Sequence, residues 1–158
     1  MNMMRAKTMK PVMPKQTGVA LVEFALILPL LLILTFVTTE YSRALFQYNI
    51  LTKSVRDAAR YLSVYDSTDT LKHVIAKNLV VYGKPSVTES DSPLVIGLST
   101  SLVPDPVWQE AGTTAPVINT VTIRITGYVF QPLLTSAFGL NFGNLAYADI
   151  SATMRAPS

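Results

Sequence analysis

The protein has 158 residues, enough for one domain and too few for two domains of ordinary size. Apolar residues make up 49 % of the chain and charged residues 15 %, below the roughly 25 % charged of an average soluble domain, which argues against disorder and favours a membrane segment. The net charge of +3 belongs to residues 1–18, which hold four basic and no acidic side chains, so the sequence lacks the basic folded face that nucleic-acid binding needs.

The N-terminal part of the sequence predicts a leader followed by a membrane span. Residues 1–18 contain two prolines and no apolar periodicity, which predicts a cytoplasmic leader without a fold of its own. Val19–Val37 then gives 19 residues with a single charge, about the length that crosses a hydrocarbon core at a rise of 1.5 Å per residue. The basic residues before the span place the N-terminus in the cytoplasm and everything beyond residue 40 outside it.

Three identities are open for this segment: a cleaved secretory signal, an uncleaved anchor or a prepilin-type signal. A secretory signal is disfavoured because its apolar core is shorter and ends in a small-x-small cleavage site. Glu23 favours the prepilin type over a plain anchor, since a carboxylate at the bilayer centre costs about 2.5–3.5 kcal/mol and needs a partner. Gly18 lets extended backbone enter a protease, and cutting after it exposes the α-amino group of Val19 as that partner.

The residues around this bond resemble a known signal. Residues 18–24, GVALVEF, are similar to the class III prepilin signal, in which the peptidase cuts after Gly and leaves Glu at position five of the mature chain. The chain also resembles the TadE-like pseudopilins of tight-adherence (Tad/Flp, type IVb) pilus systems. That resemblance is carried by residues 20–26, 28–30, 55–62, 121–125, 128, 130–134 and 152–155.

The resemblance implies a function as well as a cleavage site. It implies that a prepilin peptidase cuts between Gly18 and Val19, and that Glu23 and Phe24 form the motif for processing and assembly. It also implies a minor pilin-like subunit, not an enzyme, that is required for assembly of the Flp pilus and for surface adhesion. The implied partners are TadF-like and TadG-like components and the Flp pilin. The implied location is the bacterial inner membrane, with a periplasmic head, or the pilus outside the cell.

Beyond the span, the spacing of apolar residues predicts two helices. The first continues from Val19 to about Ser63, with a bend at Pro29, which lacks the N–H that would bond the carbonyl of Ala25. The second is predicted over residues 69–82, with an N-cap supplied by residues 67–69 and an end at Gly83 and Pro85, and His73 is expected at the surface. The predicted apolar stripe of the second helix consists of Leu71, Val74, Ile75, Leu79 and Tyr82.

The C-terminal part of the sequence predicts a small antiparallel β-sheet. Residues 84–116 are rich in proline and predict a loop with at most one short strand near residues 106–109. Apolar and polar residues alternate over 117–126 and 148–155, which predicts two half-buried strands. The fold class is therefore α+β. We expect a leader over residues 1–18, a transmembrane and extended helix over 19–64, and an extracytoplasmic head over 65–158.

Between these strands lies a long apolar segment, residues 127–143. A loop this apolar either folds onto the sheet or contacts another subunit. Its candidate interaction surface consists of Tyr128, Phe130, Phe138 and Phe142.

The sequence contains no recognisable catalytic pattern. A phosphate-binding glycine loop, a nucleophile elbow and a histidine–carboxylate grouping are all missing, and the absence of Cys excludes disulfides and thiolate metal sites. We therefore expect no cofactor, no metal and no small-molecule substrate. Two functions stay open at this point: a processed pilin-like subunit, or an unprocessed single-pass anchor whose extracytoplasmic head binds a ligand.

Overall fold

A computed structural model of the protein describes residues 17–112, 118–137, 140–141 and 143–156. One helix, α1, runs from Thr17 to Leu62, which confirms the predicted long N-terminal helix. Its 46 residues give a rod of about 69 Å at 1.5 Å per residue. The N-terminal part of α1 has the length and the hydropathy of a membrane span, and none of its most apolar stretch is buried by the rest of the chain.

The polar residues at the end of this apolar stretch satisfy their hydroxyl groups within α1. The hydroxyl of Thr35 donates a hydrogen bond to the carbonyl of Leu31, and the hydroxyl of Ser42 donates one to the carbonyl of Thr38. Each oxygen–oxygen distance is 2.8 Å. Thr38 and Thr39 make the same kind of bond one turn back along the helix. The hydroxyls of these four residues therefore have their partners within the helix and need no water.

The second helix, α2, spans Thr70–Tyr82 and matches the prediction in its bounds and caps. The carboxylate of Asp69 accepts hydrogen bonds from the backbone N–H groups of Leu71 and Lys72, which is the N-cap arrangement. The helix ends at Gly83, whose φ of 70° lies in the left-handed region and whose N–H bonds the carbonyl of Leu79.

The predicted apolar stripe of α2 is partly wrong. Leu71 is 72 % exposed and Val74 is also exposed, whereas α2 buries the face that carries Ala76, Val80 and Val81. Spacings of three and four occur on two overlapping faces of this helix, so the sequence pattern did not select between them. The face with the small alanine side chain lies against α1, where a short side chain permits close approach of the two helices.

The C-terminal part forms a three-stranded antiparallel sheet of β1 (Val107–Ala111), β2 (Ile118–Ile125) and β7 (Ile150–Arg155), with β2 in the centre. The register pairs Trp108 with Val121 and Ile125 with Ile150. Between β2 and β7 lie two short antiparallel pairs, with strands β3 (Val129–Phe130), β4 (Ser136–Ala137), β5 (Leu140–Asn141) and β6 (Leu145–Ala146). β3 pairs with β6, and β4 pairs with β5.

The hydrophobic core lies between the sheet, α2 and the outer half of α1. Val121, Ile123 and Ile125 point from β2 into it, as the alternating pattern predicted, and Leu51 and Val55 enter it from α1. These side chains are fully or almost fully buried. The α+β prediction is therefore confirmed, and α1 serves both as the apolar segment and as one wall of the head.

The sequence predicts His73 at the surface, but in the structure its side chain packs against another element. Its ring stacks on the indole of Trp108 with 5.0 Å between the ring centroids, and its Nε2 atom is buried. The contact joins α2 to β1, two elements separated along the chain, so the spacing within α2 carried no sign of it.

We expect Leu51→Ala to destabilise the head by about 2–5 kcal/mol, because Leu51 is fully buried and the change leaves a cavity. Leu71→Ala removes the same atoms from an exposed position and should change stability by less than about 0.5 kcal/mol. Urea unfolding of the full-length protein in detergent micelles, followed by the fluorescence of Trp108, measures both changes. Equal losses in the two variants would contradict this account of the core.

Candidate processing and assembly site

The predicted cleavage site lies in the first turn of α1. Gly18 is the second residue of this helix and Val19 the third, and both are exposed. A Cβ atom added to Gly18 would meet no atom within 4 Å in the part of the chain that the structure describes. The first turn of a helix also has unpaired N–H groups and opens at low cost, as a bond entering a protease requires. The rest of the predicted leader, residues 1–16, lies outside the described residues.

Glu23 lies one turn further along α1, on the same face as Val19. Residues four apart on a helix have Cβ atoms about 5–6 Å from each other, so a new α-amino group on Val19 would lie near the Glu23 carboxylate. The Glu23 side chain is exposed, and it forms no ion pair with any residue of the described ranges. Phe24 is also exposed and is open to a neighbouring helix.

Pro29 lies inside α1, and the helix continues through it to Leu62. The bend expected at Pro29 stays a prediction. The missing N–H leaves the carbonyl of Ala25 without its usual helical donor, within the apolar segment.

The segment between β2 and β7 packs along α1 by side chain contacts that follow the helix turn by turn. The hydroxyl of Tyr128 donates to Oε1 of Gln47 at 3.0 Å, and the hydroxyl of Tyr147 donates to the carbonyl of Ala44 at 2.6 Å. One step closer to the apolar segment, the guanidinium of Arg43 lies 5.5 Å from the ring centroid of Phe130.

The last of these contacts is made by Glu40. Its carboxylate accepts a hydrogen bond from the backbone N–H of Leu133, with both oxygens at 3.3 Å, and forms an ion pair of 2.7 Å with Arg43. Glu40 thus holds the segment to α1 three residues after Val37, the last residue of the apolar run.

Two residues of the candidate interaction surface are buried in the chain itself. Tyr128 is 2 % exposed and Phe130 is 3 % exposed, so both rings lie between the segment and α1. Phe138 and Phe142 lie outside the described residues. Sequence reasoning missed Glu40, Gln47 and Tyr147, because each of them acts through a contact across the fold. The sequence did contain one sign that this segment packs against another part of the fold, because no charged residue occurs between Arg124 and Asp149.

Burial changes the acidity of the two tyrosines. Desolvation raises the pKa of Tyr128 and the pKa of Tyr147 above the ordinary value of 10.0, and for Tyr128 the neighbouring Tyr147 adds to the effect. The neutral phenol is therefore the form that the fold stabilises. Within the described ranges, no group of three or more His, Asp or Glu side chains is placed to hold a metal ion.

A family model described as TadE-like protein matches residues 18–60. The match begins at Gly18, contains Val19, Glu23 and Pro29, and ends two residues before α1 does. The resemblance to TadE-like proteins is therefore confirmed over this segment. No curated protein and no solved structure gives a significant match to the chain.

This match shows that the helical segment is similar to TadE-like proteins over residues 18–60 of the 158. TadE-like components of Tad pili are structural and not enzymes. Together with the single apolar helix at the N-terminus, the match supports a pilus-related protein anchored in a membrane by one pass.

We expect Tyr147→Phe to lower the stability of the head by about 1 kcal/mol at neutral pH, because it removes the hydrogen bond to Ala44. In the unchanged protein the raised pKa means that the contribution of Tyr147 is complete below about pH 10 and is lost as the pH rises through the folded value. The variant should therefore lose less stability than the unchanged protein on going to alkaline pH. Urea unfolding at a series of pH values measures this, with the exposed Tyr41→Phe as control; parallel curves for all three proteins would contradict it.

Proposed function

We propose that the protein is a pseudopilin of a Tad-type pilus system, processed by a prepilin peptidase and required for assembly of the Flp pilus and for adhesion. The observation that carries the proposal is the TadE-like match that starts at Gly18 and includes a carboxylate, Glu23, one turn into an exposed apolar helix. A membrane anchor alone does not need that charge.

In this proposal residues 1–18 form the cytoplasmic leader, residues 19–64 the transmembrane and extended helix, and residues 65–158 the extracytoplasmic head. The basic residues of the leader support this orientation by the positive-inside rule. The membrane is the bacterial inner membrane, and the head lies in the periplasm or, after assembly, on the pilus outside the cell.

Cleavage would change the charge pattern at the membrane edge. Four basic side chains leave with the leader, and the α-amino group of Val19 takes their place one turn from Glu23. In a medium of low dielectric constant, this amine and the Glu23 carboxylate of the same or of a neighbouring helix stabilise each other. Processing thus couples to association with other pilin-like subunits, for which TadF-like and TadG-like components and the Flp pilin are the proposed partners.

The exposed apolar side of α1 supports helix–helix association as the mode of assembly. Phe24 and the leucines that follow it are exposed in the part of the chain that the structure describes, whereas the buried core includes residues of the outer half of α1. In a membrane this surface is open to lipid and to the helices of partner subunits.

Gly18→Phe should block processing and leave membrane insertion intact. A Cβ atom added at Gly18 meets no atom of the described chain within 4 Å, so we expect the fold to tolerate a side chain there, whereas a bulky residue beside the scissile bond obstructs the protease. Mass spectrometry of the N-terminus, in cells with an active prepilin peptidase, measures the result. Leu26→Phe, which adds bulk within the span, should be processed normally.

The outcome that contradicts processing is equally clear. An unchanged protein that keeps residues 1–18 in such cells is an anchor and not a processed subunit. The function would then be that of a single-pass anchor with an extracytoplasmic binding head.

Glu23→Val should insert and be processed but fail in assembly. The change removes a charge that costs about 2.5–3.5 kcal/mol at the bilayer centre, so insertion is at least as good. It also leaves the new amine of Val19 without its partner, and losing one member of a buried pair costs about 3–5 kcal/mol, enough to prevent a weak helix association. The measurement is recovery of pilin-like partners by co-purification, together with a count of pili.

Two variants separate charge from polarity in this experiment. Glu23→Gln keeps the shape and loses the charge, and should fail like Glu23→Val. Thr35→Val removes a hydroxyl that is already bonded inside α1 and should assemble normally. Normal pili with Glu23→Val would show that the carboxylate has no role in assembly.

A further inference from the structure

The end of the head that lies nearest to the apolar segment is formed by a short apolar edge. We call it the lip and define it by Pro132, Leu133 and Leu145. Together with Val37, Glu40 and Tyr41 of α1, Pro132 and Leu145 line a shallow groove of about 330 Å³. The lip therefore reaches the last residue of the apolar run on α1.

The position of the lip along α1 follows from its contacts. Tyr128 contacts Gln47, Tyr147 contacts Ala44, and Leu133 contacts Glu40. Glu40 lies about 4.5 Å beyond Val37 along the helix, at 1.5 Å per residue. Among these three contacts, the one made by Leu133 is the closest to the apolar segment.

This height coincides with the polar layer of a bilayer. The 19 residues of Val19–Val37 span about 28 Å, close to the roughly 30 Å of a hydrocarbon core. The headgroup layer adds about 5–8 Å on each side, so Leu133 and Glu40 both fall inside it. A head held at this height is in contact with lipid whenever α1 spans the membrane.

The chemistry of the lip suits that layer. Leu133 is 71 % exposed, and Leu145 and Tyr41 beside it are exposed as well. No charged residue occurs between Arg124 and Asp149, so the whole segment is free of groups that resist partial burial in lipid. Tyrosine is enriched where a helix leaves a membrane, because its ring is apolar and its hydroxyl is polar. The carboxylate of Glu40, which lies at this height, is already bonded to Arg43 and to the N–H of Leu133.

We propose that the lip inserts into the membrane–water interface of the leaflet that faces the head. The head then contacts the bilayer at a second point besides α1. The proposal rests on the membrane anchoring of α1, which is part of the proposed function. Lipid is the occupant that the structure favours over a protein partner, because the apolar surface of the lip continues that of the span at Val37 and lies at the height of the headgroups. Two points of contact fix the tilt of the head relative to the membrane.

The absence of Cys from the sequence makes this proposal directly testable. The single variants are Leu133→Cys and Leu145→Cys in the full-length protein. Each introduced cysteine is labelled with a fluorophore whose emission responds to its surroundings, and the protein is studied in phospholipid vesicles at a low protein-to-lipid ratio. Quenching is measured with phospholipids that carry a nitroxide near the headgroup, with phospholipids that carry it deep in the acyl chain, which is the probe for Leu30, and, separately, with iodide in the water. Leu30→Cys reports the span, and Val64→Cys reports the far end of the head.

The matched exposure of these positions makes the comparison sharp, because Leu30 and Val64 are 67 % and Leu133 is 71 % exposed. We expect fluorophores at Leu133 and Leu145 to be quenched by the nitroxide lipid several-fold more than the one at Val64, with a blue-shifted emission and weak quenching by iodide. Quenching equal to that at Val64 would overturn the proposal. Protection from iodide without quenching by lipid would also overturn it, because it would show contact with protein.

The Leu30 variant separates failure of the lip from failure of the anchor. Quenching at Leu30 by lipid, without quenching at Leu133, leaves the membrane anchor standing and removes the lip proposal alone. No lipid quenching at Leu30 would contradict the anchor itself, and with it both proposals.

Discussion

The structure depends on one continuous helix that faces two different surroundings along its length. From Val19 to Val37 nearly all side chains of α1 are apolar and most are exposed, and from Leu51 to Leu62 one face of the helix is buried under the sheet and α2. The same hydrophobic effect acts in both halves, by lipid contact in the first and by packing of the head in the second. The place where one gives way to the other fixes the distance of the head from the membrane.

That transition is built from groups that satisfy each other locally. Thr35 and Ser42 bond back to the helix, and Glu40 bonds both Arg43 and the backbone of Leu133. Pairing lowers the cost of polar groups near a bilayer, so this arrangement brings charged residues close to the apolar segment at a smaller penalty than unpaired groups would have. It also explains why the segment between β2 and β7 can lie so close to the end of the span.

The helix and the head differ in how much of their role can be read from the sequence. The TadE-like match lies on the helix, residues 18–60, where Gly18 and Glu23 form a pattern that is short, local and readable in the sequence. The head depends on contacts such as Tyr147 with Ala44, which join residues far apart in the chain. The proposed assembly through the helix and the proposed positioning of the head therefore depend on different residues, so variants in one need not disturb the other.

The sequence by itself determined the elements whose cause is local. Continuous apolar character specified the span, spacings of three and four specified α1 and α2, and alternation specified the inward side of β2. The caps of α2 at Asp69 and Gly83 were readable because each acts within one turn. Tertiary structure alone decided which face of α2 is buried, that His73 stacks on Trp108, and that Tyr128 and Phe130 lie against α1. These depend on which surfaces meet, and residues close in space but distant in sequence leave no periodic signal.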